Sequence, residues 1–242
     1  MENIIALVIG LGSMGKRRVR CLKALGVKNI FGYDTRRDRI DEARGKYGIQ
    51  IVEDPFGTQS IGAEVCFIST SPEKHMDYAE VMFTKGVHCF IEASVVEPER
   101  VDKLDKDSKN TDVLILPSAT LLYSRIFKEI HKLLERKAIG KILNINYQRG
   151  HYLTEWFLFA EIQDFYVSKR ETGGAREIVS FEMVWLNYFF GTPKPLSCVK
   201  QKLTDINADI DDIYHCVLAY PQNILCNMTI DVISRPEATR EL

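Results

Sequence analysis

Three stretches of this chain place chemically capable residues at informative spacings. The first is Gly10-Leu11-Gly12-Ser13-Met14-Gly15, a GxGxxG turn. In such a turn the first glycine permits a tight bend and the second lets the backbone approach a pyrophosphate. The third lets the following helix pack closely on the preceding strand. Free N–H groups at the start of that helix then offer partial positive charge to phosphates. Asp34 follows nineteen residues after Gly15, at the end of the next apolar run, where a carboxylate can bind a ribose diol. A glycine turn beside an unrelated surface aspartate is the alternative reading, and the order strand, turn, helix, strand, acid argues against it. The expected ligand is NAD, because a carboxylate repels a 2′-phosphate, although Arg36 and Arg37 keep NADP open. Ser13, Met14, Thr35 and Arg36 complete the contacts expected around this turn.

The second stretch, Arg149 to Arg170, carries His151, Tyr152, Trp156, Phe157, Phe159, Tyr166, Lys169 and Arg170. Aromatic rings interspersed with donors suit a sugar, through stacking and hydroxyl hydrogen bonds, and they suit packing on a sheet equally well. Arg149, Tyr152 and Trp156, with Arg176 beyond them, are the expected substrate contacts. The third stretch is the helix after Gly174. At about 100° per residue, Ile178, Phe181, Trp185, Leu186 and Phe189 form one apolar stripe. Glu182 falls inside that stripe, while Arg176, Ser180 and Asn187 lie opposite. A carboxylate on an apolar face is paired, protonated or turned to a polar cavity. Glu182 is therefore either a general acid/base with a raised pKa or the partner of a nearby Arg or Lys.

The elements that must position these residues fall into two sets, expected as domains over 1–118 and 119–242. In the first, strands at Ile4 to Ile9, Ile30 to Tyr33, Ile49 to Val52, Val65 to Ile68, Cys89 to Ile91 and Val113 to Leu116 alternate with helical patterns. Met14 to Leu25, Asp38 to Tyr47, a run from Pro72 to Lys85, and one opened by Pro98 read as the helices. This alternation implies α/β architecture, a Rossmann doubly wound parallel sheet. Beyond Pro117, a helix stripe at Ile126, Ile130, Leu133 and Leu134 precedes a strand at Ile142 to Tyr147. Tyr214 to Tyr220 and Ile224 to Ile233 read as an antiparallel pair joined through Pro221-Gln222-Asn223. The expectation is an α+β domain with an open, mostly antiparallel sheet.

Composition bounds the partners. With 45% hydrophobic and 27% charged residues and a net charge of −1, the chain has no long basic run to grip nucleic acid. Six cysteines show no metal-ligand spacing, so no metal site is expected, and a reducing cytoplasm suits them better than a disulfide framework. No signal-peptide pattern or apolar span long enough for a bilayer is seen, and a soluble cytoplasmic protein without membrane contact is expected.

At this point the sequence resembles the glucose–fructose oxidoreductase and inositol dehydrogenase (Gfo/Idh/MocA) family. The residues that carry the resemblance are GLGSMG at 10–15, Ser69-Thr70-Ser71-Pro72 with His75, and Lys85-Gly86-Val87-His88 leading to Ile91-Glu92. Ile139-Gly140-Lys141-Ile142, Gly173-Gly174-Ala175 and Phe189-Phe190-Gly191 extend it. The resemblance implies hydride transfer between NAD(P) and a ring hydroxyl or ketone of a sugar, sugar nucleotide or cyclitol. It also implies a homodimer or homotetramer formed through the C-terminal sheet. Thr70, Ser71, His75 and Glu92 match positions near the cofactor; a helix-surface histidine is the alternative for His75.

Two departures bear on catalysis. Where relatives read Glu-Lys-Pro, this chain has Glu92-Ala93-Ser94, and Phe181 and Val184 stand where a histidine and an acid are usual. Lys169, Glu182 and Tyr166 are the candidates to replace the proton relay. A non-catalytic NAD-binding protein of the same fold is the alternative function. Relatives also continue for several dozen residues past the Ile224 to Ile233 strand, so a C-terminally shortened sheet is expected.

Overall fold

The computed structural model describes residues 3–57, 61–93, 96–156 and 161–242. The chain divides into two compact units, Met1–Ser118 and Ala119–Leu242.

In the first unit, strands β1 (Ile5–Ile9), β2 (Asn29–Tyr33), β3 (Gln50–Ile51), β4 (Val65–Ile68), β5 (His88–Ile91) and β6 (Ile115–Pro117) form one parallel sheet. Their spatial order is β3-β2-β1-β4-β5-β6, that of a doubly wound dinucleotide fold. The continuous apolar run of β1 is explained by its two buried faces. Ala6 and Val8 pack with Val19 and Leu22 of α1 (Ser13–Ala24) and Ala43 of α2 (Arg37–Tyr47). Leu7 and Ile9 pack on the other face with Met76, Ala79 and Met82 of α3 (His75–Thr84) and Leu104 of α4 (Pro98–Ser108). Pro72–Lys74 is a short 3₁₀ turn, so the helix expected from Pro72 begins as α-helix only at His75.

In the second unit, α5 (Arg125–Glu135) precedes β7 (Asn144–Gly150), and α6 (Gly174–Phe190) precedes β8 (Lys194–Gln201), β9 (Ile213–Tyr220), β10 (Ile224–Asp231) and β11 (Thr239–Glu241). The sheet order is β11-β7-β10-β9-β8. Its pairings are antiparallel except β7 with β10, which run parallel. The sheet is thus mixed and mostly antiparallel, because a long crossover returns the chain beside β7 in the same direction. Strand β7 starts at Asn144, two residues later than the apolar pattern at Ile142 suggests. One face carries Tyr147, Met228, Ile230, Cys216 and Leu218 in a core closed by Ile178, Trp185 and Leu186 of α6. On β8 all eight residues are exposed, Val199 by 63%. No helix among the described residues is long and apolar enough to cross a membrane.

Candidate functional site

The glycine turn sits where β1 hands over to α1. Gly10 has φ +88°, and a Cβ there would lie 2.6 Å from the Ser69 carbonyl oxygen, so backbone conformation and space both require glycine. A Cβ at Gly15 would overlap the Gly10 carbonyl oxygen. Gly12 caps α1 without a side-chain hydrogen bond, and the first turn of α1 holds no acidic residue. Its leading N–H groups are thus left to an external anion, the arrangement phosphates use. Ser13 and Met14 are exposed at the turn.

Asp34 closes the turn from the end of β2. It is 7% exposed; Leu11 N donates to its Oδ2 at 2.7 Å and Arg36 N donates to its Oδ1 at 2.8 Å. A carboxylate has about four lone-pair directions, so two remain for a diol. Arg39 Nη1 stands 3.6 Å from Asp34 Oδ2 and beside Gly12, which makes it a neighbour of the site that motif spacing does not reveal. Arg36 itself pairs with Asp38 at 2.7 Å, and Thr35 is exposed.

At the ends of β4 and β5, His75 is 2% exposed, with Nε2 3.1 Å from the Thr70 carbonyl oxygen, so it is not a surface histidine. Thr70 Oγ1 donates to Ser71 O, and Ser71 Oγ donates to Glu73 at 2.8 Å. Ser69 Oγ is buried without a hydrogen-bond partner among the described residues, in the segment that touches Gly10. An orphaned hydroxyl beside the turn fits a polar ligand there. Glu92 is 6% exposed and takes a bidentate ion pair from Arg18, which raises the Arg18 pKa above its ordinary value. Ala93 follows it; Ser94 lies outside the described residues. The glycine cradle, the uncapped helix start and Asp34 fit NAD(H), and no group of three or more potential metal ligands comes together among the described residues.

In the second unit, the structure puts Glu182 in the paired role. It is fully buried and accepts from Tyr147 Oη at 2.6 Å, Trp185 Nε1 at 2.7 Å and Arg240 Nη2 at 2.5 Å. Arg149 Nε stands 4.0 Å away, and its Nη1 donates to the carbonyls of Gly150 and Thr239. Burial, then the nearby Arg240 charge, lowers the Arg149 pKa. A carboxylate with three donors and no solvent access anchors β11 to α6.

Tyr166 Oη donates to Glu177 Oε1 at 2.7 Å. Lys169 is exposed, and its backbone bridges to Asp209. Tyr152 lies under the Arg235 guanidinium, 4.4 Å from ring to Cζ. Trp156 packs near His151, and its Nε1 is buried without a partner among the described residues. Burial and the Arg149 charge lower the His151 pKa. Phe157 and Phe159 lie outside the described residues. Arg176 is half-buried and acts electrostatically on Glu177. Glu177 is the residue the sequence reading missed. Its position in the first turn of a helix suits an exposed capping acid, yet burial pushes its pKa up to about 7, against the lowering effects of Tyr166 and Arg176.

Residues 127–242 match the family described as GFO/IDH/MocA C-terminal domain. The chain resembles the Gfo/Idh/MocA family. A myo-inositol 2-dehydrogenase of Thermotoga maritima is 27% identical over 143 residues, 55% of this chain and 41% of that enzyme. The chain thus matches less than half the length of that curated relative. Among solved structures, the WlbA dehydrogenase of Chromobacterium violaceum, in complex with NADH and UDP-GlcNAcA, superposes with a TM-score of 0.86 at 14% identity. The likeness covers 98% of this chain and 69% of that one. A myo-inositol 2-dehydrogenase of Lactobacillus plantarum gives 0.81 at 15% identity, over 98% and 76%. At such identities the likeness establishes the shared fold.

Proposed function

We propose that this protein is an NAD(P)-dependent oxidoreductase that moves a hydride to or from a hydroxyl or ketone of a sugar, sugar nucleotide or cyclitol. The observation that carries the reading is the cradle at residues 10–15. Only glycine fits at Gly10 and Gly15, the helix start is left uncapped, and Asp34 retains acceptor capacity beside it. Gly10, Gly12, Ser13, Met14 and Gly15 would hold the pyrophosphate, with Asp34, Thr35 and Arg36 at the adenosine ribose. Thr70, Ser71, His75 and Glu92 would border the nicotinamide half. The cofactor supplies the hydride chemistry, and the protein supplies orientation and proton handling. Arg149, Tyr152, Trp156 and Arg176 are the proposed substrate contacts. The relatives named above act on, or were solved with, a cyclitol or a sugar nucleotide, which supports that substrate class. The exposed β8–β9–β10 face is the proposed homodimer or homotetramer surface.

One observation favours a second reading, a non-catalytic NAD-binding protein. Ala93 and Phe181 cannot move a proton, and Glu182 is tied to Arg240. Incubating the protein with NAD⁺ and a panel of sugars, UDP-sugars and inositols, while following absorbance at the NADH wavelength, separates the two. Turnover with one substrate class supports the enzyme. Tight NADH binding with no turnover on any panel member supports the binding protein.

A further inference from the structure

We propose that Cys198 and Cys216 form a reversible cross-strand disulfide, a redox site that ties the end strand of the second unit's sheet to its neighbour. Strands β8 and β9 run antiparallel, and their register sets Cys198 directly opposite Cys216. Directly opposed residues of an antiparallel pair project to the same face, with Cα atoms about 4.5–5.5 Å apart, inside the range a disulfide spans. The two Sγ atoms already stand 3.5 Å apart. Side-chain rotation has to bring them to about 2.05 Å, and the strand register can stay as it is.

The two thiols differ in access. Cys216 is 7% exposed and belongs to the core that holds Leu218 and Trp185. Cys198 is exposed, because β8 lies at the end of the sheet. It shares the face of Cys216, Tyr214 and Leu218. His215 and Thr229, hydrogen-bonded at 3.1 Å, stand on the other face, where the subunit contact is proposed. A second copy docked there does not cover the side on which Cys198 sits. The remaining cysteines lack this combination. Cys66 and Cys89 also face each other, across β4 and β5, but both are buried, and Cys89 Sγ donates to the Val87 carbonyl. Cys226 is fully buried, and Cys21 is on α1 in the other unit.

Burial, and then the hydrogen bond with Cys198, push the Cys216 thiol up to about 12, so it keeps its proton while the exposed thiol reacts first. The oxidant is a small-molecule disulfide. The Cys198 thiolate attacks one of its sulfurs, forms a mixed disulfide and releases one thiolate. Cys216 then attacks the Cys198 sulfur, and its proton goes to the second departing thiolate. The protein has lost two electrons and two protons, and the small disulfide has become two thiols. Excess thiol reverses both steps. Exposed disulfides are the more easily reduced ones, which suits a bond that opens and closes. When closed, it keeps β8 from peeling away from β9.

The test equilibrates the purified full chain in buffers running from reduced to oxidised glutathione, traps free thiols with iodoacetamide and maps the peptides by mass spectrometry. The expected result is an intramolecular link between the Cys198 and Cys216 peptides that forms as oxidised glutathione rises and opens when reduced glutathione is restored. C198S, a conservative change at an exposed position, should abolish the link. Amide hydrogen exchange over residues 194–201 should slow by about tenfold or more when the parent is oxidised, and should not change in C198S. A chain that keeps both thiols in oxidised glutathione overturns the proposal, as does a glutathione adduct on Cys198 that never passes to Cys216. A link that survives excess reduced glutathione overturns its reversibility. Exchange that oxidation leaves unchanged overturns its role as a tie on β8.

Discussion

Replacing Arg240 with alanine should expose how the second unit tolerates a fully buried carboxylate. Glu182 has no solvent exposure, and Arg240, 2.5 Å away, is the cation in hydrogen-bond contact with it. Tyr147 and Trp185 are neutral donors, and Arg149 stands at 4.0 Å. Removing one partner of a buried ion pair typically costs about 3–5 kcal/mol, because the other charge stays desolvated. E182Q removes the buried charge instead. Arg240, whose side chain is 36% exposed, then turns toward water, so the cost should be about 1.5–3 kcal/mol for the lost charged hydrogen bonds. On the E182Q background R240A should cost no more than about 1 kcal/mol, a coupling of at least about 2 kcal/mol. Urea unfolding followed by tryptophan fluorescence is the natural assay. Trp185 donates to Glu182, and the other tryptophan, Trp156, is also in the second unit. Additive costs, or an R240A cost below about 1 kcal/mol, would refute the view that Arg240 of β11 and Glu182 stabilise the unit as a coupled pair.

Three further outcomes follow from the same geometry. Gly15→Ala, which forces a Cβ onto the Gly10 carbonyl, should weaken NADH binding by more than about a hundredfold in a fluorescence titration, while the unfolding transition of the second unit stays where it was. Asp34→Asn should weaken NADH about tenfold or more and NADPH less, narrowing the preference between them, because the loss falls on the ribose diol and a repulsive charge disappears. Burial pushes the Glu177 carboxyl up to about 7, above the ordinary glutamate value of 4.5. The native state therefore binds its proton more tightly than the unfolded chain does. Its contribution is full below about pH 4.5 and is lost as pH rises through about 7, a fall of about 3 kcal/mol. E177Q should flatten that slope in urea midpoints measured from pH 5 to 8.

The first unit was largely legible because its signals are local. A double-sided apolar strand, a glycine turn and an acid at the next strand's end all lie within 34 residues, and each constrains its neighbour. The second unit was less so. The helical stripe placed Glu182 on the buried face, but its cation is Arg240, 58 residues on, and no spacing rule points there. Nothing in the sequence singled out Glu177, and the burial of its Oε2 depends on the Tyr166 turn packing against Gly173, a contact between segments. The parallel β7–β10 pairing likewise rests on chain order in space, which alternation of apolar residues does not encode.

The central claim, a nicotinamide dinucleotide on the Gly10–Gly15 cradle, is tested most directly by titrating the purified chain with NADH and NADPH and following cofactor fluorescence, with Gly15→Ala in parallel. The account predicts saturable binding that favours NADH and disappears in the variant. Absence of binding to either cofactor, or binding that Gly15→Ala leaves intact, would contradict it.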